Sequence, residues 1–125
     1  MRSVRGAWRN YVHRNKLDAH AERNKELLRV FAEKQVNLGE PRSIDLHFWA
    51  WNQPSAVGLA HQLYKRGFML LILMPAGLPD DPERWNIEAG TKASITSVIA
   101  EEFTVELIEL AANFGAEYDG WGTSV

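Results

Sequence analysis

Asp45 and His47 stand two residues apart in the alternating stretch Ile44 to Trp51, so both project from one face of a strand. Glu88 lies in a second alternating stretch, Trp85 to Ala89, which a sheet can set beside the first. Two carboxylates and an imidazole are groups that hold a divalent ion or pass a proton. The pattern is not specific for either use: no H-E-x-x-H ligand pair is present, and an Asp-His pair on an exposed strand is usually polar surface. His13, His20 and His61 have no partner at a diagnostic spacing, and there is no cysteine. Thiol catalysis, Cys-ligated zinc and disulfides are thereby excluded together. No Gly-x-Ser-x-Gly elbow occurs. The glycines of Gly115 to Gly122 follow a helix and enter a strand, the reverse of a loop feeding phosphate to a helix N-terminus. The expectation is a noncatalytic protein without metal or cofactor.

A different use of the same strand is stacking. His47, Trp49 and Trp51 fall on one face and resemble the aromatic platform on which single-stranded RNA lies. Asp45 and Glu88 share that face, however, and neither strand carries the basic aromatic signature of such domains. The plainer reading is that these tryptophans pack beneath an N-terminal helix. Charge argues the same way. Residues 1 to 37 hold nine Lys or Arg against four Asp or Glu, a balance of +5, whereas residues 38 to 125 hold five against twelve, a balance of −7. Phosphate binding rests on Lys and Arg, so an acidic body suits a basic protein partner better than nucleic acid.

The elements that position these groups follow from periodicity. Val4, Trp8, Tyr11 and Val12 recur at helical spacing among Arg2, Arg5, Arg9, Arg14 and Lys16. A basic, solvated helical extension over residues 1–21 is favoured over an organellar transit segment, and no secretory core follows the arginines. Glu22 to Val36 is a helix with Leu27, Leu28, Phe31 and Ala32 as its apolar stripe, stopped by Gly39 and Pro41. Ile44 to Ala50 is the first strand. Asn52-Gln53-Pro54 opens a helix that buries Ala56, Leu59, Ala60 and Leu63 and ends at Gly67. Phe68 to Met74 is a strand apolar on both faces, which calls for a cover or a dimer contact along it. A Pro-rich loop, a strand from Trp85 to about Ala93, one long helix capped by Thr96 or Ser97, and a short strand Ala116 to Trp121 complete the chain. The order β-α-β-β-α-β predicts an α+β, ferredoxin-like split βαβ antiparallel sheet with an additional N-terminal helix. The alternative is an α+β sandwich whose N-terminal helix covers the opposite sheet face. The longest apolar run is too short to span a bilayer, and a cysteine-free chain suits the cytoplasm.

Glu117-Tyr118-Asp119-Gly120-Trp121-Gly122 closes the domain after the helix ending Leu110-Ala111-Ala112-Asn113-Phe114-Gly115. Gly120 and Gly122 can both adopt φ > 0, so the spacing predicts a tight bend holding Trp121. With Ile44-Asp45-Leu46-His47-Phe48, Leu59 to Phe68 and Trp85 to Ala89, this motif resembles the ribonuclease E inhibitor family RraB over about residues 22 to 122. The resemblance implies a domain over residues 22–125 that binds an endoribonuclease of the RNase E type, in its basic noncatalytic parts, and lowers RNA cleavage without catalysis of its own. The acidic insertions of the better-studied members are not evident here.

Within that reading, Glu101, Glu102, Glu106 and Glu109 form an acidic helix stripe able to steer a basic partner, and His47, Trp49 and Trp51 are further candidates for partner contact. The terminal motif is expected to serve local geometry. An immunity protein or antitoxin neutralising a nuclease fits the same features, and the expected state is a monomer or weak homodimer.

Overall fold

The computed structural model describes residues 4–124, with side chains from residue 16 onward. Helix α1 (Val4–Glu33) precedes β1 (Arg42–Ala50), α2 (Gln53–Lys65), β2 (Met69–Pro75), β3 (Trp85–Ala93), a single turn α3 (Ile95–Val98), α4 (Glu101–Asn113) and β4 (Ala116–Thr123). The four strands form one antiparallel sheet in the order β2-β3-β1-β4. That is the ferredoxin-like arrangement expected from the element order.

Alternation in β1 decides the layers. Ile44, Leu46, Phe48 and Ala50 are buried, while Asp45, His47 and Trp49 remain partly exposed on the other face. The buried side meets Ala56, Leu59, Ala60 and Leu63 of α2, then Leu107, Ile108, Leu110 and Ala111 of α4. Asn52 caps α2 as its side-chain oxygen accepts from the Ser55 amide at 3.0 Å. Gly67 and Gly115 sit past the ends of α2 and α4 at φ 92° and 70°, the left-handed conformation that lets each chain reverse into a strand.

Five expectations are corrected. Helix α1 is continuous from Val4, not from Glu22, and Lys16, Leu17 and His20 already touch the domain. Its Val4, Trp8, Tyr11 and Val12 side chains lie outside the described residues. It packs on the helical side, with Phe31 in the core, and does not cover the tryptophan face. The reason is that its polar contacts are made with Tyr118 and Trp121, which project from β4 to the same side as Phe48 and Leu46. Ala32 is exposed, because the stripe that meets the core runs through Leu27, Leu28 and Phe31 and Ala32 falls outside it.

The long second-half helix is two pieces. Ser94 caps α3 by accepting from the Ser97 amide at 3.2 Å, and α4 begins again at Glu101 without a side-chain cap. The break buries Ile95 and Val98 beside Leu38, to whose carbonyl Thr96 donates from both amide (3.1 Å) and hydroxyl (3.1 Å). Finally, the Asp119-Gly120 pair is no turn: it forms a bulge within β4, where the register shifts between His47 and Phe48.

Candidate functional site

Three groups of residues singled out by sequence fall in three different places: the open sheet face, the outer side of α4 and the packed contact with α1. On the open sheet face, β1 and β3 pair His47 directly with Glu88, and Nδ1 of the imidazole lies 3.2 Å from the carboxylate. Asp45 is opposite Gly90, one pair further along. Among the described residues, no three His, Asp or Glu side chains converge to hold a metal ion. The two groups lie within hydrogen-bond distance, but no hydroxyl nucleophile stands beside them among the residues lining the adjacent cavity.

That cavity, about 310 Å³, is bounded by His47, Trp49, Ile72, Met74, Arg84 and Asn86. The Arg84 guanidinium lies 4.0 Å from the centre of the Trp49 ring, a cation–π contact. Trp51 meets Trp49 edge-on, with centroids 4.6 Å apart and planes at 83°. Trp51 lies just past the end of β1 and is exposed, so the expected trio is a pair on the strand and one indole at its rim. The stacking surface of Trp49 is already taken by Arg84, which argues against a nucleobase there.

Glu101, Glu102, Glu106 and Glu109 are all exposed on the outer side of α4. Glu102, Glu106 and Glu109 recur at helical spacing and make one row, while Thr104, Leu107, Ile108 and Ala111 face inward. Arg66 of α2 donates to Glu106 at 2.6 Å. Because α4 packs on the helical layer, this row and the open sheet face lie on opposite sides of the molecule. One flat contact cannot engage both.

The terminal motif belongs to neither surface. Tyr118 and Trp121 are buried against α1. The Trp121 indole donates to Asn24 Oδ1 at 2.9 Å, and His20 Nε2 donates to the Tyr118 carbonyl at 3.1 Å while its ring stacks on the Tyr118 ring at 4.7 Å. Burial, aided by the nearby Arg23 and Lys16 charges, lowers the His20 pKa below its ordinary value, so the ring is held neutral. Burial likewise raises the Tyr118 phenol, whose oxygen has no partner among the described residues. Arg23 donates to the Asp119 carbonyl, and Lys16 pairs with Glu117 at 2.9 Å. The α1 side of this cluster was not anticipated from sequence. The signal lay in Asn24 and His20, polar residues on the inward side of a helix, which need a buried partner.

Residues 21–123 match the family described as Regulator of ribonuclease activity B, RraB. The chain belongs to the RraB family. Comparison with curated proteins gave no match. The matched span runs from α1 through β4 and includes the whole sheet and the terminal motif. RraB family membership makes the protein a member of a group of regulators of ribonuclease activity. Among the described residues, no helix is long and apolar enough to cross a membrane.

Proposed function

We propose that this RraB-family protein inhibits an endoribonuclease of the RNase E type by direct contact, without catalysing a reaction itself, and so slows RNA decay in the cytoplasm. The observation that carries the reading is the family match over the whole sheet domain. The exposed row Glu102, Glu106 and Glu109, with Glu101 beside it, supports a contact with a basic segment of the nuclease. Such a segment, if unstructured, orders on binding and follows the α4 surface. His47, Trp49 and Trp51 are a secondary contact on the far side, reached only by a partner that wraps the edge of the domain. Glu117 to Gly122 act on the fold, by fastening α1.

The test combines capture and rate. Purified protein immobilised on resin retains an RNase E-type nuclease from host lysate, and the same protein slows cleavage of a defined RNA by that nuclease. The triple variant Glu102→Lys, Glu106→Lys, Glu109→Lys, checked to be folded, loses both effects, and the wild-type effect weakens as salt rises. No retention and an unchanged cleavage rate would overturn the proposal. Full inhibition by the triple variant would move the contact off α4. A tryptophan fluorescence titration with single-stranded RNA stays flat if the partner is protein; a salt-sensitive quench would favour RNA binding at Trp49 and Trp51.

A further inference from the structure

Strand β2 ends the sheet on one side and contains no charged residue from Met69 to Pro75. Its side chains are nevertheless exposed: Met69 67%, Met74 53%, Leu71 46%, Leu70 39% and Ile72 37%. Register places Met69, Ile72 and Met74 on the open face, opposite Gly90, Glu88 and Asn86, whereas Leu70 and Leu73 lie on the helical side. Both faces of the edge are therefore apolar, and among the described residues one side of its backbone has no neighbouring strand. The usual protections of an edge, an internal lysine or an inward charge, are missing; only the shift at Leu71 and the terminal Pro75 interrupt it.

The opposite edge is different. There the side chains of His20 and Arg23, reaching from α1 on the helical side, donate to the carbonyls of Tyr118 and Asp119. The edge at β4 thus has partners for part of its backbone, whereas β2 offers its full length to a neighbour. The geometry points to a two-fold dimer in which β2 of one copy pairs antiparallel with β2 of a second, giving one continuous eight-stranded sheet. Such a contact is isologous and closes on itself.

Area and charge both favour a second copy as the occupant. The exposed apolar residues of β2, taken over both faces, amount to about 500 Å² per copy, so pairing two copies buries at most about 1,000 Å², the lower bound for a specific interface. On a lone chain that patch is at the upper end of what monomers expose, roughly 300–600 Å². An uncharged strand offers nothing to a basic tail, but it is complementary to itself. In the antiparallel pair, Lys65, just before β2, falls at the end where the other copy carries Asp80 and Asp81, just after it, while Arg66 is held by Glu106. Arg84, at that same end, is held over Trp49.

The experiment uses the full chain alone, so its outcome is independent of the nuclease. Sedimentation across the micromolar range should give a monomer–dimer equilibrium with no larger species. Ile72→Lys sets two ammonium groups near the symmetry axis and should weaken the dimer about a hundredfold with an unchanged circular dichroism spectrum. Met74→Lys, at a more exposed position, serves if Ile72→Lys does not fold. Because the chain has no cysteine, single substitutions from Met69→Cys to Met74→Cys report the register by oxidation: cross-linking should peak near the middle of β2 and fall toward both ends. A monomer throughout the range overturns the inference, as do an open-ended polymer, a dimer indifferent to both lysine variants, or a flat cross-linking profile.

Discussion

Replacing Trp121 by Phe tests whether the terminal motif fastens α1 to the sheet. The indole N–H donates to Asn24 Oδ1 at 2.9 Å, with both residues buried. Phe removes the donor and leaves the Asn24 oxygen stranded, which costs about 1–3 kcal/mol. The lost part of the indole removes roughly 40 Å² of apolar burial, about 1 kcal/mol. Trp121→Phe is therefore expected to destabilise by about 2–4 kcal/mol. Asn24→Ala strands the indole instead, offset by the roughly 0.6 kcal/mol by which Ala exceeds Asn in a helix. That propensity gain appears in both arms of a double-mutant cycle and cancels. The coupling between the two sites should then be about 1 kcal/mol or more. Urea unfolding followed by far-ultraviolet circular dichroism is the suitable assay, because the substitution itself deletes one of the five indoles that fluorescence would report. Additive single effects, within about 0.3–0.5 kcal/mol, would refute the reasoning. A folded Trp121→Phe protein should still inhibit the nuclease in full; selective loss of inhibition would make Trp121 a contact residue.

Two further outcomes are expected. Gly120 has φ 134°, and a Cβ there would run into the Arg23 guanidinium that holds the Asp119 carbonyl, so Gly120→Ala should lower stability by about 1–3 kcal/mol in urea titrations. Gly122 has no such conformation and its nearest prospective neighbour, His47 Nε2, is 3.7 Å away, so Gly122→Ala should be neutral or stabilise by about 0.4–1 kcal/mol; equal losses at both glycines would contradict this account. His20 has a lowered folded-state pKa, so between that value and about 6.5 the unfolded chain binds more protons than the folded one. Its stabilisation is complete above about pH 6.5 and is lost as pH falls from there toward the folded value. Unfolding curves between pH 7 and pH 5 should fall more steeply for wild type than for His20→Gln, and parallel curves would dismiss the role of burial.

The parts of this protein that sequence determines are those governed by local spacing. Alternation from Ile44 to Ala50 names the buried and open faces of β1, and it sets Asp45, His47 and Trp49 together without reference to any distant residue. Pro54, Gly67 and Gly115 fix helix boundaries through their own φ preferences. Composition excludes cysteine chemistry, and the family is legible across residues 21–123. Periodicity does not register a single-turn break at Ile99 to Ala100, because both pieces keep their apolar side toward the same core. Nor does it distinguish a turn from a bulge at Asp119-Gly120, since glycine permits either and only the pairing with β1 selects.

What tertiary structure alone decided is the side on which α1 lies. Its own sequence names neither face of the sheet, and the choice rests on contacts nearly the whole chain apart, Asn24 with Trp121 and His20 with Tyr118. Those contacts hold α1 on the helical side and leave the tryptophan face open. A buried polar group must find its partner wherever the fold brings one, and no local pattern states where that is.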